Sequence, residues 1–335
     1  IDSGSIYVKE CDYIWDGTGG NRTYTKAITI IGETVGWEAG LIDTACSLTL
    51  QHSAGYGITF SSPVKIENMT FTASTSTQCM KFSSSYAIRS SKFSGGTVYF
   101  YGGSSSSSPD GGIVENCYFR HAAASALVLV SDIYHGSVWK NCSFICQTQY
   151  AVTFSNDNKR LIFENCIFDG TLEQTANGQG ISFESGSLMN LCSWENCEFN
   201  CRGAYSAIKV NSGAVLEECS FNNSVVNVWT AFGSYNTQGS IDFVNYTDGV
   251  SYVGVISATF NGLSINIKHS SELTSPLLNL TNAGTAGVVS VVIRDVKIFG
   301  GGNAITGAGP GTPSVQNNGI IRLLITESSA CSTRF

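Results

Sequence analysis

Five glutamates gather in the middle of the chain. Glu164, Glu195 and Glu217 recur at one position of a repeat, and Glu198 and Glu218 lie beside them. Two carboxyl groups facing one cleft can cleave a glycosidic bond. Glu195, Glu198 and Glu217 are the candidates for that chemistry, with Glu198 expected one strand further on. Three close carboxylates can also hold a hard cation such as Ca²⁺, which makes Glu164, Glu195 and Glu217 the candidate metal ligands. The plainer alternative is a set of solvated glutamates beside a loop insertion. No Asp-Asp pair, no Asp-x-Asp and no Asp-His exists. His52, His121, His135 and His269 fall at unrelated repeat positions, and His135 sits in a Tyr-His-Gly turn that reads as surface. No cofactor is implied beyond that Ca²⁺.

Cysteine is the other reactive type. There are 12, with no C-x-x-C pair to suggest zinc or haem. Such a count suits an oxidising compartment with some disulfides. Cys117, Cys142, Cys166, Cys197 and Cys219 share one repeat position. On successive strands their Cα atoms would lie about 4.8 Å apart, near enough for disulfides, but parallel Cβ vectors are poorly aimed. A stack of buried thiols acting as small hydrophobes is the alternative. Cys146, Cys192 and Cys201 are better placed for bonds between turns. Cys11 and Cys331 could tie down an end, link subunits, or form local bonds.

What must position these residues is the repeat itself. Val114-Glu115-Asn116-Cys117-Tyr118-Phe119 returns as Trp139–Phe144, Phe163–Phe168, Trp194–Phe199 and Leu216–Phe221. Looser copies are Ile66–Phe71, Ile88–Phe93 and Ile293–Ile298. The closing aromatics stand at 71, 93, 119, 144, 168, 199 and 221. A period in the twenties means a solenoid of one supersecondary unit per repeat. The leucines of a leucine-rich repeat and the i, i+3, i+4 pattern of a helix are both missing. A second strand precedes each motif, as in Gly57–Phe60 and Ala207–Val210. Each unit thus reads as one coil of a β-helix.

Parity adds detail. On a continuous strand Val114 and Phe119 would point to opposite faces. A one-residue left-handed bend at Asn116 lets Val114, Cys117 and Phe119 all point inward, and Asn tolerates that conformation. Asn68, Asn116, Asn141, Asn165 and Asn196 should then stack as an amide ladder, buried or merely turn-tolerant. The preceding residue faces outward and reads Glu67, Arg89, Glu115, Lys140, Glu164, Glu195, Glu217, a mostly alternating ladder of exposed ion pairs.

The pattern resembles the parallel β-helix of the pectin-lyase-like superfamily, over roughly residues 25–300. The resemblance implies an all-β, single-stranded right-handed parallel β-helix of about 10–12 coils, with inner Cys and Phe stacks. Residues 1–24 would cover the first coil, and 301–335 would add a loop and a last strand. The superfamily holds lyases, hydrolases, epimerases, tailspikes and adhesins. Its lyases use acidic Ca²⁺ clusters with an Arg or Lys base, and its hydrolases use neighbouring aspartates, neither of which stands out here.

Composition narrows the classes. Charged residues are 13% and net charge is −7, with no basic stripe for nucleic acid. No apolar run approaches the roughly 18 residues of a membrane span. The chain opens on Ile1, as a processed or a cut terminus would. Sequons at Asn21, Asn222, Asn245 and Asn279 fit glycosylation outside the cytoplasm. The expected function is a secreted structural subunit at a cell or virion surface. It would partner copies of itself through open β-helix ends, and it is similar in type, more faintly, to amyloid-like subunits of archaeal cell sheaths. The alternative is a carbohydrate-active or carbohydrate-binding β-helix, with Tyr99, Tyr101, Tyr134, Trp139 or Trp229 lining a groove. Trp139 and Trp194, at the inward position of Val114, read as core.

Overall fold

The computed structural model describes residues 4–9, 11–15, 22–33, 46–51, 57–73, 78–102, 111–121, 127–146, 150–170, 179–202, 207–211, 213–229, 241–243, 256–262, 264–268, 278–279, 289–294, 297–300 and 321–326. Every regular element among them is a β-strand, and every pairing is parallel. Three sheets run the length of the solenoid, with 12, 11 and 12 strands, as the expected all-β parallel β-helix requires.

One coil shows the logic. Gly112–Glu115 lies in the first sheet, Tyr118–His121 in the second and Val128–Ile133 in the third. The chain then rejoins the first sheet at Ser137–Lys140, directly above Gly112–Glu115. Between the first two strands Asn116 adopts φ 54°. That single left-handed residue turns Val114, Cys117 and Phe119 to the same side, and all three are at most 1% exposed. Asn68, Asn141, Asn165 and Asn196 repeat the bend at φ 53–56°, and Ser90 does so at 46°.

The inner aromatics form columns. Phe71, Phe93, Phe119, Phe144, Phe168 and Phe199 stack with centroids 4.9–5.3 Å apart. Trp139, Phe163, Trp194 and Phe221 form another column, so both tryptophans are core as expected. Burying one such ring stabilises the fold by roughly 1.5–3 kcal/mol. The strand spacing sets the stacking distance, so every coil contributes the same contact.

Two expectations about the chain's course are corrected. Residues 1–24 are no separate cover: Gly4–Val8, Cys11–Trp15 and Arg22–Tyr24 pair with Ile28–Gly32, Cys46–Leu50 and Ile58–Phe60 as a coil. Likewise Ile321–Thr326 extends the first sheet beyond Val289–Arg294. The solenoid therefore extends past the expected 25–300 at both ends.

The second correction concerns register. Leu216–Phe221 is not the next copy above Trp194–Phe199. Phe221 pairs with Trp194, and Val226 pairs with Phe199. Leu216 and Glu217 instead pair with Met189 and Asn190. These coils carry an extra short strand with its own left-handed bend, at Arg160, Leu191 and Glu218 (φ 52–56°). Met189–Trp194 and Leu216–Phe221 share that bend, and an apolar-polar-bend-Cys-aromatic pattern fits either corner of a coil.

Candidate functional site

The register decides the fate of the glutamates. Glu164 and Glu195 are cross-strand partners, but the next residue in that column is Asn222. Glu217 stands on the other corner, accepting a hydrogen bond from Asn190 Nδ2 at 2.6 Å. Glu198 lies in the second sheet and accepts from Asn227 Nδ2 at 2.9 Å. Glu195, Glu198 and Glu217 therefore do not face one cleft. The positive charge beside Glu164 comes from Lys140, whose Nζ lies 2.7 Å from Oε2. Among the described residues no three His, Cys, Asp or Glu side chains group to hold a metal ion, and the expected set Glu164, Glu195, Glu217 is split between two corners.

The amide ladder is bonded at Asn116, Asn141 and Asn165 and is solvated, and Ser90 takes the bend between Asn68 and Asn116, so Asn68 does not stack on it. Asn141 Nδ2 donates to Asn116 Oδ1 at 3.1 Å, and Asn165 Nδ2 to Asn141 Oδ1 at 3.3 Å. Asn141, Asn165 and Asn196 are exposed.

None of the nine described cysteines is in a disulfide, and all nine are buried. This corrects the bonds expected for Cys146, Cys192 and Cys201. Cys146 pairs with His121 along the second sheet. Cys201 pairs with Val228. Cys219 also leaves the main column, since its corner aligns it with Cys192. The position of the others has a local cause. Each thiol follows a left-handed bend and lies within S–H···O reach of the carbonyl two residues earlier. Cys117 does so to Glu115, Cys142 to Lys140, Cys166 to Glu164 and Cys197 to Glu195, at 3.2–3.5 Å. Cys192 and Cys219 repeat this at the other corner, to Asn190 and Glu217. Ser91 and Ser224 make the same bond with a hydroxyl, to Arg89 and Asn222. That carbonyl already accepts the backbone N–H of the bend residue on the neighbouring coil, as Glu115 does from Ser90 at 3.0 Å and Lys140 from Asn116 at 2.9 Å, so the small thiol or hydroxyl adds a second, weaker donor to it without opening the core. Burial pushes the thiols of Cys142, Cys166, Cys192 and Cys197 up, and that of Cys201 to about 12. These are poor nucleophiles and poor metal ligands.

Cys11 stands opposite Cys46 in register, though only its backbone is described. Cys331, Asn21 and Asn245 lie outside the described residues, as do the side chains of Asn279 and Trp229. Asn222 is half-buried, with Nδ2 on Ser220 Oγ.

Polar and aromatic side chains instead converge on the outer side of the third sheet, at its turn toward the first. Lys81 and Tyr99 are cross-strand partners, as are Tyr101 and Ser131. Tyr99 and Tyr101 lie 5.5 Å apart by centroid, and Lys81 Nζ sits 4.3 Å from the Tyr101 centroid and 5.2 Å from that of Tyr99. Asp132 occupies the centre at φ 57° and is 8% exposed. Its Oδ2 accepts from Ser131 Oγ at 2.7 Å and Asn156 Nδ2 at 3.0 Å. Its Oδ1 accepts from Tyr134 OH at 3.5 Å. Lys159 Nζ lies 5.7 Å from the Tyr134 ring, and Glu184 stands two coils on, after Phe183, which pairs with Phe154.

The electrostatics agree with partial enclosure. Desolvation raises the Tyr99 hydroxyl, and the charges of Asp132 and Glu184 add to the rise. Desolvation alone lowers Lys81 and raises Glu184. A carboxylate held in a left-handed bend, fixed on one oxygen by two donors, is a preorganised acceptor beside two half-buried tyrosine rings. The tyrosines were legible as exposed aromatics; Asp132, Asn156 and Glu184 were not, because they belong to strands outside the Asn-Cys motif.

No protein-family model matches this chain, and no curated protein matches it in sequence. Among solved structures, the Agl-KA catalytic domain is similar at a TM-score of 0.41 and 12% identity, over 96% of this chain and 62% of that one. The chain thus spans less than two thirds of that domain's length, and nothing about ligand or chemistry transfers from it.

Proposed function

We propose that this protein is a glycan-binding β-solenoid, displayed outside the cell or on a virion, that holds a polysaccharide along its third sheet. The supporting observation is the placement of Tyr99 and Tyr101 beside the fixed carboxylate of Asp132. Saccharides present apolar C–H faces and rings of hydroxyl donors. Tyrosine rings suit the former, and a carboxylate with an oxygen bonded only weakly suits the latter. Lys81 and Lys159 add cations, so acidic polysaccharides are the first ligands to try. The strand repeat of about 4.8 Å lets neighbouring coils offer successive contacts to an extended polymer. Retention on a panel of immobilised neutral and acidic polysaccharides tests the reading. Wild type should be retained by at least one polymer, and Tyr99→Ala and Asp132→Asn should each lose at least tenfold in affinity. A wild type retained by none, or variants retained equally, would sink it.

The structural, self-assembling reading keeps one observation in its favour. Among the described residues, Tyr7 and Ile14 are large apolar side chains at 74% and 67% exposure, the kind of surface a second chain covers. Its disulfide component has no support among the described cysteines. Negative-stain imaging with and without reductant tests it: filaments or sheets support assembly, and discrete particles under both conditions exclude it.

A further inference from the structure

The outer face of the first sheet carries two columns in register. One is Ala87, Ile113, Val138 and Ile162. The other, two residues further along each strand, is Arg89, Glu115, Lys140 and Glu164. Ile113 and Ile162 are 39% and 38% exposed, so the first column is a wet apolar stripe. The second alternates in sign. Its ion pairs within the chain are between neighbouring coils, Arg89 with Glu67 at 3.6 Å and Glu115 at 3.2 Å, and Lys140 with Glu164 at 2.7 Å. These charges are half-exposed, and their outer sides face solvent.

An alternating column matches a copy of itself in only some arrangements. Take a two-fold axis between two facing copies, parallel to the strands and passing between the Glu115 and Lys140 strands. This operation keeps each column opposite itself and reverses the order of coils. Glu115 then faces Lys140 of the second copy, and Arg89 faces Glu164. Ile113 faces Val138, and Ala87 faces Ile162. Each contact occurs twice, as an isologous interface requires. We propose that this face pairs two copies of the chain, antiparallel along the solenoid axis, with the isoleucine stripe buried between two rows of intermolecular ion pairs.

The match has an edge. One strand further out, Glu67 would meet Glu195 of the second copy, although Lys65 stands 3.1 Å from Glu67 and tempers the repulsion. The good contact thus covers four coils, about 250 Å² per copy at the usual strand and residue spacings. Standard interfaces bury about 800 Å² per partner. The pair should therefore be reversible and concentration-dependent. It does not depend on the glycan site, which is on another sheet.

Sedimentation velocity across a range from about 10 μM to about 1 mM reads the proposal directly, using the whole chain and the exposed-site variants Glu115→Lys and Lys140→Glu. Wild type should move from monomer to dimer. Each variant alone should stay monomeric, because two lysines would face each other across the axis in the first and two glutamates in the second. Mixed in equal amounts the two variants should form a heterodimer, since both facing pairs then become opposite in sign. That recovery also shows that both variants fold. A wild type that stays monomeric throughout, a mixture no heavier than its components, or growth past the dimer indifferent to the charge changes would each overturn the proposal.

Discussion

The Tyr86 hydroxyl lies 2.5 Å from Ser137 Oγ although the two residues are two coils apart. The strand between them places Gly112 at the intervening position, in register with both. Tyr86 is 4% and Ser137 3% exposed, so the tyrosine reaches along the core across a residue with no side chain. Ser137 Oγ also donates to the Gly112 carbonyl at 3.2 Å, which leaves the Tyr86 hydroxyl as the donor of the longer-range bond.

Removing the acceptor should therefore cost more than a surface hydrogen bond. Ser137→Ala removes the buried acceptor of this bond and should destabilise by about 1–2 kcal/mol. Adding Tyr86→Phe should recover part of this, as expected for partners in one contact. Gly112→Ala should be worse, because its Cβ would fall 1.8 Å from the Tyr86 carbonyl oxygen. Denaturant unfolding of Ser137→Ala, Tyr86→Phe, the double variant and Gly112→Ala checks the order, and additive losses for Tyr86 and Ser137 would contradict the bond.

The solvated amide ladder gives a smaller effect than a buried one would. Asn165→Leu should cost about 1–2 kcal/mol, mostly from forcing a non-Asn residue into the left-handed region. Asn165→Gly keeps the bend without strain and should change stability by less than about 1 kcal/mol despite losing the bond to Asn141. Denaturant unfolding compares the two. A glycine variant as damaged as the leucine variant would restore the amide bond as the dominant contribution.

The buried thiols should be chemically silent. In native protein at about pH 8, near the ordinary thiol value, iodoacetamide should leave the peptides carrying Cys142, Cys166 and Cys201 unmodified, and guanidinium should make all three reactive. Burial both blocks access and holds these thiols protonated. Rapid native labelling would refute the packing described for the inner column.

Glu184 carries a pH signature. Its folded-state value is raised above the ordinary 4.5 by desolvation, so the folded protein holds this proton more tightly than the unfolded chain. Stability should then fall as pH rises from 4.5 through the raised value, with the penalty absent below that window and complete above it. Comparing Tm against pH for wild type and Glu184→Gln isolates the contribution. A difference that grows toward low pH instead would reverse the sign of the shift.

Residue pattern alone was enough to specify the solenoid, its inward residues and its left-handed bends. Val114, Asn116, Cys117 and Phe119 show why: with a side-chain period of two, one extra residue must be absorbed by a bend, and Asn is the residue that takes it cheaply. The pattern also marked a column of paired charges. Which corner each motif occupies was settled only by the stacking of coils. Leu216–Phe221 satisfies the pattern of either bend, and only the strands above and below assign it, which separated Glu217 from Glu195 and Cys219 from Cys197. The same holds for the third-sheet site. Lys81 and Tyr99 share a register, but Asp132 and Glu184 fall elsewhere on their coils, and none of the four lies in the Asn-Cys motif. Their proximity arises from stacking at the strand spacing, a relation that exists only once the coils are in register.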